Sequence, residues 1–142
     1  MIKCESKYCG CLYYSSNALA RIITKMAEDE FAVTGLTPSY AFLLMSINAN
    51  PGIQPTDLSK EMLLTPSTIT RLIEKLEHKG LVTRNNVGKI TEVFPTEKGI
   101  SLEIEVKKAW IRLYQKYSLI LGEEEGKRLT AEIYQATRKL ES

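Results

Sequence analysis

The sequence is poor in the residues on which most enzymatic chemistry depends. Its 142 residues include one histidine, His78, and one tryptophan, Trp110, and all three cysteines lie at or before position 11. There is no histidine-glutamate metal pair, no glycine-rich phosphate loop and no nucleophile elbow, so neither catalysis nor a bound cofactor is expected. Long apolar runs are also missing. Stretches such as Ala41 to Met45 are far too short to cross a bilayer. The amino-terminal MIKCESKYCGCLYYSS has no apolar signal-peptide core, which places the chain in the cytoplasm. In that reducing compartment structural disulfides are not expected at Cys4, Cys9 and Cys11, while redox or metal chemistry stays open. The spacing Cys4-x4-Cys9-x-Cys11 lacks paired Cys-x2-Cys knuckles, and a structural zinc site is not expected either. Excess charge is absent too: the net value is +2, so any argument for a nucleic-acid partner has to rest on local charge.

What is present is an ordinary globular composition, 44% hydrophobic and 25% charged, in a length that suits one domain or half of an obligate dimer. Apolar residues at Leu12, Leu19, Ile22, Ile23, Met26 and Ala27 predict an amphipathic first helix from about Leu12 to Phe31. Thr37 caps a second helix, with Pro38 at its first position, that runs to about Ala49 and is apolar on most sides. A short helix from about Thr56 to Met62 follows the Asn50-Pro51-Gly52 stop. Thr65 then caps a fourth helix opened by Pro66, onto which Leu64 can staple through Ile69. Its apolar face is Ile69, Leu72, Ile73 and Leu76, and Gly80 ends it in left-handed conformation. Leu81 to Arg84 and Ile90 to Pro95 read as a hairpin around Asn85 to Lys89. Thr96 caps a long fifth helix with a stripe at Leu102, Val106, Ala109, Leu113 and Tyr117. A last helix from about Glu123 to Leu140 carries Leu129, Ile133, Ala136 and Leu140 on one face. The first and last helices present more apolar stripe than the middle region can cover, which implies burial against a second copy of the chain.

The middle region holds the chemistry. A short helix, a tight four-residue connection, a capped helix with a polar outer face and a hairpin make the order of a winged helix-turn-helix. Between Pro66 and Lys89 the basic residues are Arg71, Lys75, Lys79, Arg84 and Lys89, against Glu74 and Glu77. The small hydroxyl residues Thr65, Ser67, Thr68 and Thr70 let the helix amino terminus approach a groove, where its free amides and dipole favour a phosphate. Arg71 can fork two hydrogen bonds to a guanine edge; Lys75 and the hairpin residues Arg84, Asn85, Asn86 and Lys89 suit the backbone.

LTPSYAFLLMSINANPGIQPTDLSKEMLLTPSTITRLIEKLEHKGLVTR, followed by VFPTEKG, resembles the MarR family of bacterial transcriptional regulators over essentially the whole chain. The resemblance implies a mainly α fold with a small β-hairpin wing. Residues 36–97 would form the winged helix-turn-helix DNA-binding lobe, and residues 1–35 and 98–142 the dimerisation helices. It further implies a homodimer, in function a repressor, on double-stranded DNA with a palindromic operator, each protomer placing one recognition helix in a major groove. The family's wing tip usually reads Asp-x-Arg, whereas this chain has Val87-Gly88-Lys89 in a shorter hairpin; lysine is a weaker match for a narrow groove.

The resemblance opens two routes for a releasing signal. The family's peroxide-sensing branch has a reactive cysteine near the start of the first helix with tyrosines close by, and CGCLYYSS is similar, with Cys9 or Cys11 beside Tyr13 and Tyr14; the other reading is that these cysteines simply pack near a terminus. A small-molecule effector would occupy a cleft between the dimer helices and the winged lobe, for which Tyr13, Tyr14, Tyr40 and Trp110 are candidates; each also suits core or interface, Trp110 above all the interface. A competing function is a winged-helix module that binds protein, for which Glu74 and Glu77 on the fourth helix give a footing.

Overall fold

Two Thr-Pro pairs begin helices where the sequence predicts them. In a computed structural model that describes residues 3–141, the elements in chain order are α1 (Leu12–Phe31), a 3-10 turn (Ala32–Thr34), α2 (Pro38–Ala49), α3 (Pro55–Met62), α4 (Pro66–His78), β1 (Val82–Val87), β2 (Ile90–Pro95), α5 (Glu97–Ser101), α6 (Glu103–Leu121) and α7 (Glu123–Glu141). Thr37 and Thr65 both stand at the amino-terminal cap with proline at the first helical position, where its missing amide hydrogen costs nothing. Only Thr65 also uses its hydroxyl, accepting the amide of Thr68 at 3.4 Å.

α4 stops by a complete Schellman arrangement. Gly80 sits at φ +76°, its amide donates to Glu77 O at 2.9 Å, and the Leu81 amide reaches back to Leu76 O at 3.0 Å. Leu81 is buried, so the same turn that ends the helix also anchors the start of the wing. One continuous core results. It joins Ile69, Leu72, Ile73 and Leu76 of α4 to Leu43, Leu44 and Ile47 of α2, Leu58 of α3, Val82 and Val93 of the hairpin, and Val106 and Ala109 of α6. Each fully buried aliphatic side chain in it contributes roughly 1.5–3 kcal/mol. Leu64 is half-buried against this cluster.

Several local predictions need correction. The connection between α3 and α4 is three residues, Leu63 to Thr65, not four, and it closes through Leu63 in left-handed conformation at φ 55° while the Leu64 amide donates to Ser59 O. The hairpin strands run almost to the tip: Val87 pairs with Ile90 and Asn86 with Thr91, so Asn85 and Asn86 belong to β1 and only Gly88 and Lys89 turn. Gly88, at φ +63°, supplies the positive φ that a two-residue hairpin turn requires at its first central position. A third partner, Ile53, bridges to Val93 beside β2, with Val93 N donating to Ile53 O at 3.0 Å. α2 is less enclosed than its composition suggests, since Phe42, Met45 and Ser46 are only half-buried and Ala49 is exposed.

The predicted long fifth helix is two helices, α5 and α6, meeting at Leu102. Nothing in the apolar stripe marks this break; it follows from packing. Thr96 caps α5 by accepting the Gly99 amide at 3.1 Å and donates its own hydroxyl to Gly80 O at 2.7 Å, which ties α5 to the end of α4. Gly99 is pressed against the backbone where the wing begins, and a Cβ placed there would lie 2.2 Å from Leu81 O. An exposed helical glycine changed to alanine should gain up to about 1 kcal/mol. At this contact the sign reverses: we expect Gly99→Ala to lower the unfolding free energy by about 2–4 kcal/mol in urea titration, because the backbone must move to admit the methyl group.

Candidate nucleic-acid interface

The outward face of α4 has hydroxyl groups at its start and cations along its length. Thr65 Oγ1 lies 2.9 Å from Thr68 Oγ1 and 3.4 Å from Ser67 Oγ, forming a compact polar knob over the first turn. Thr70 is turned back, donating to Pro66 O at 3.0 Å. Thr65, Ser67, Thr70, Arg71 and Lys75 are exposed and Thr68 is half-exposed, while Ile69, Leu72, Ile73 and Leu76 are all buried. Neither Arg71 nor Lys75 enters an ion pair among the described residues. Lys98 donates to Lys79 O at 3.1 Å, satisfying a carbonyl at the other end of the helix, where positive charge is favoured by the dipole.

Arg84 is placed differently from the other cations. On β1 it reaches back to α4, with Nη2 2.8 Å from Glu77 Oε1 and Nη1 4.0 Å from Glu74 Oε1. Both acidic side chains on the outward side of α4, Glu74 and Glu77, are therefore engaged by one guanidinium from the wing. The remaining wing residues are outward: Asn85, Asn86 and Lys89 are exposed, with Asn86 Oδ1 accepting from Thr91 Oγ1 across the strands at 2.9 Å. The tip also exposes Val87 and Ile90.

The other candidate residues do not converge. The side chains of Cys4 and Cys9 lie next to each other, and Cys11 is a free, exposed thiol just before α1. The short loop between Cys4 and Cys9 brings the two together. No group of three or more potential metal ligands occurs among the described residues. Tyr13 is 78% exposed, and Tyr14 stacks at a tilt on Tyr8, so neither reaches the cleft beside the lobe. Tyr40 packs against the core. Trp110 alone of the four lines a cleft, together with Phe42, Met45 and Met62, residues that sequence reasoning took for core because nothing distinguishes a half-buried apolar side chain from a buried one.

The Arg84–Glu77 pair spans two elements, and both side chains are about one-third exposed, so solvent screens it. In a double-mutant cycle with Arg84→Met and Glu77→Gln, the coupling energy is expected near 0.5 kcal/mol at low salt and to fall as salt is added. A coupling indistinguishable from zero at low salt would contradict the clamp.

Comparison with known proteins agrees with this geometry. The sequence model of the MarR family matches residues 34–88, the segment from the end of the 3-10 turn to the wing tip. The HTH-type transcriptional regulator YybA of Bacillus subtilis (strain 168) is 33% identical over 84 residues, 57% of this chain and 56% of that protein, so the match spans about half of that relative's length. The HTH-type transcriptional repressor MdtR of the same organism is 27% identical over 128 residues, 86% of this chain and 83% of that protein. Among solved structures, the transcriptional repressor CouR bound to a 23-mer DNA duplex superposes with a TM-score of 0.84 at 18% identity, covering 96% of this chain and 99% of that one, a likeness of fold. The segment that matches the MarR family model thus holds the Thr-Pro-capped α4 with its buried face and the first strand of the wing.

Proposed function

We propose that the chain is a sequence-specific DNA-binding transcriptional repressor that acts as a homodimer on a palindromic operator. The observation that carries this reading is the division of α4: every apolar residue of its face is buried, and Arg71 and Lys75 stand free on the opposite side beside an uncovered hydroxyl-capped amino terminus. Thr65, Ser67 and Thr68 would seat the helix end on a phosphate, Thr70 and Arg71 would face base edges, and Lys75, Asn85, Asn86 and Lys89 would hold the backbone. Arg84 takes a positioning role, neutralising Glu74 and Glu77, which would otherwise repel the phosphates that the helix approaches. The same pairing weakens the protein-binding alternative, because the two acids that supported it are already occupied.

Dimerisation follows from what one chain leaves uncovered. Leu12 and Ile22 on α1, Leu119 and Ile120 on α6 and Leu140 on α7 are 63–88% exposed, and α7 as a whole buries only Gly126. A helix of 19 residues with that little cover is marginal in water, and a second copy of the same surface closes it at least cost. Residues 1–35 and 98–142 would form this frame and residues 36–97 the reading lobe. No helix among the described residues is long and apolar enough to cross a membrane, which accords with work on DNA in the cytoplasm. A releasing signal, a small molecule or oxidation at the Cys4, Cys9 and Cys11 segment, would act by changing the distance between the two α4 helices. The relatives are transcriptional regulators, and no catalytic role is assigned to any residue.

Two outcomes are expected. Light scattering should give twice the mass of one chain, and Ile133→Asp combined with Leu140→Asp should shift the protein to monomer, with a monomeric wild type contradicting the frame. In operator titrations log affinity should fall steeply and linearly with log salt; Arg71→Ala should relax base preference at one position in each half-site, whereas Lys89→Ala should weaken all sequences alike and shallow the slope by about one. Salt-independent binding would point to a partner other than DNA.

A further inference from the structure

The segment ahead of α1 is held in one shape by its own hydrogen bonds. The Cys9 amide donates to Ser6 O at 3.2 Å, the Tyr8 amide to Ser6 Oγ at 3.1 Å and the Cys11 amide to Tyr8 O at 2.8 Å, while Ser15 Oγ on α1 donates to Cys9 O at 2.9 Å. This winding sets Cys4 beside Cys9, with Cα atoms 6.1 Å apart, inside the window of roughly 4.4–6.8 Å in which two cysteine sulfurs can meet. Cys4 is exposed and Cys9 half-buried, so the pair is open to solvent on one side. Two thiols are thus brought together before any ligand arrives.

The number of ligands decides what such a pair takes. No group of three or more His, Cys, Asp or Glu side chains that could hold a metal occurs among the described residues, so a tetrahedral ion such as zinc has too few ligands here. A linear two-coordinate ion holds its sulfurs on opposite sides, which suits thiols further apart than these. Trivalent arsenic holds them close to a right angle, and when it already carries one carbon substituent it needs two sulfurs and no third. We propose that Cys4 and Cys9, as reduced thiols, form a chelating site for a monosubstituted trivalent arsenical, with Cys11 outside the chelate. Two As–S bonds form, the two thiol protons leave with the arsenic-bound oxygen as water, and neither arsenic nor sulfur changes oxidation state. The ring of Tyr8, which lies in the loop between the two cysteines and is 53% exposed, meets Tyr14 at 5.8 Å and gives an aryl substituent a surface to rest on. Through Ser15 the loop is bonded to the first turn of α1, so the bound arsenical is tied to the frame. Any consequence for DNA release rests on the repressor reading above; the binding itself does not.

The test is thiol counting on the reduced, DNA-free protein with phenylarsine oxide. One equivalent should bind per chain and shield two of the three cysteines from an aromatic disulfide reagent, leaving Cys11 reactive. Cys11→Ser should keep the uptake and leave no reactive thiol. Cys4→Ser and Cys9→Ser should each weaken binding at least about a hundredfold, because the second As–S bond is then no longer closed within one molecule, and the circular dichroism spectrum should be unchanged in all three variants. A dithiol should strip the bound arsenic where the same concentration of thiol groups supplied as a monothiol does not. Three reactive thiols after one equivalent overturns the assignment, as does shielding that is lost in Cys11→Ser or kept in Cys4→Ser or Cys9→Ser. Uptake by a protein that ignores DNA would leave the site standing and remove the repressor reading; operator binding with no uptake would do the reverse.

Discussion

Burial of one face of α4 is the constraint on which the other features depend. Ile69, Leu72, Ile73 and Leu76 enter a single core with α2, α3, the hairpin and α6, and this leaves the helix no rotational freedom about its axis. Because those four positions are fixed inward, Thr65, Ser67, Thr70, Arg71 and Lys75 are fixed outward. The two ends are set with equal care. Thr65 and Pro66 define where the helix begins, and Gly80 with buried Leu81 defines where it ends and in which direction the wing departs. Reading of a groove, on this account, is the by-product of a packing problem solved on the other side of the helix.

A second layer of contacts ties the wing to that helix. Arg84 spans from β1 to Glu74 and Glu77, Thr96 donates to Gly80 O, Lys98 donates to Lys79 O, and Gly99 brings α5 against Leu81. No one of these is strong, and the surface ion pairs contribute well under about 1 kcal/mol each. Together they converge on the last turn of α4 and join the wing to that helix. Glu30 of α1, paired to Arg112 at 3.3 Å and Lys116 at 3.7 Å, performs the corresponding task inside the frame by locking α1 to α6.

Where structure is dictated locally, the sequence was readable. Thr-Pro openings, Gly80 and the apolar spacing of α1, α4 and α7 each specify their element through neighbours in the chain, and α1 begins and ends at Leu12 and Phe31 as expected. Misreadings cluster where a distant contact decides. The break at Leu102 depends on Gly99 meeting Leu81, and the Ile53–Val93 bridge joins segments far apart in sequence. The partners of Arg84, Glu74 and Glu77, lie on the helix that precedes its strand, a pairing that composition does not show. Tyr13, Tyr14, Tyr40 and Trp110 were grouped as aromatics, but aromatic character says nothing of address: only Trp110 lies at the cleft, and Glu61, Glu103 and Phe42 join it there because α2, α3 and α6 meet in space.

The central claim is that two copies of α4, presented by one symmetric frame, read DNA. Selection of bound fragments from the genomic DNA of the host by the purified protein tests it most directly. The account predicts recovery of an inverted repeat whose half-sites lie about one helical turn apart, roughly 34–36 Å along the duplex. Recovery of fragments with no common symmetric element, or no enrichment over input at low salt, would contradict it.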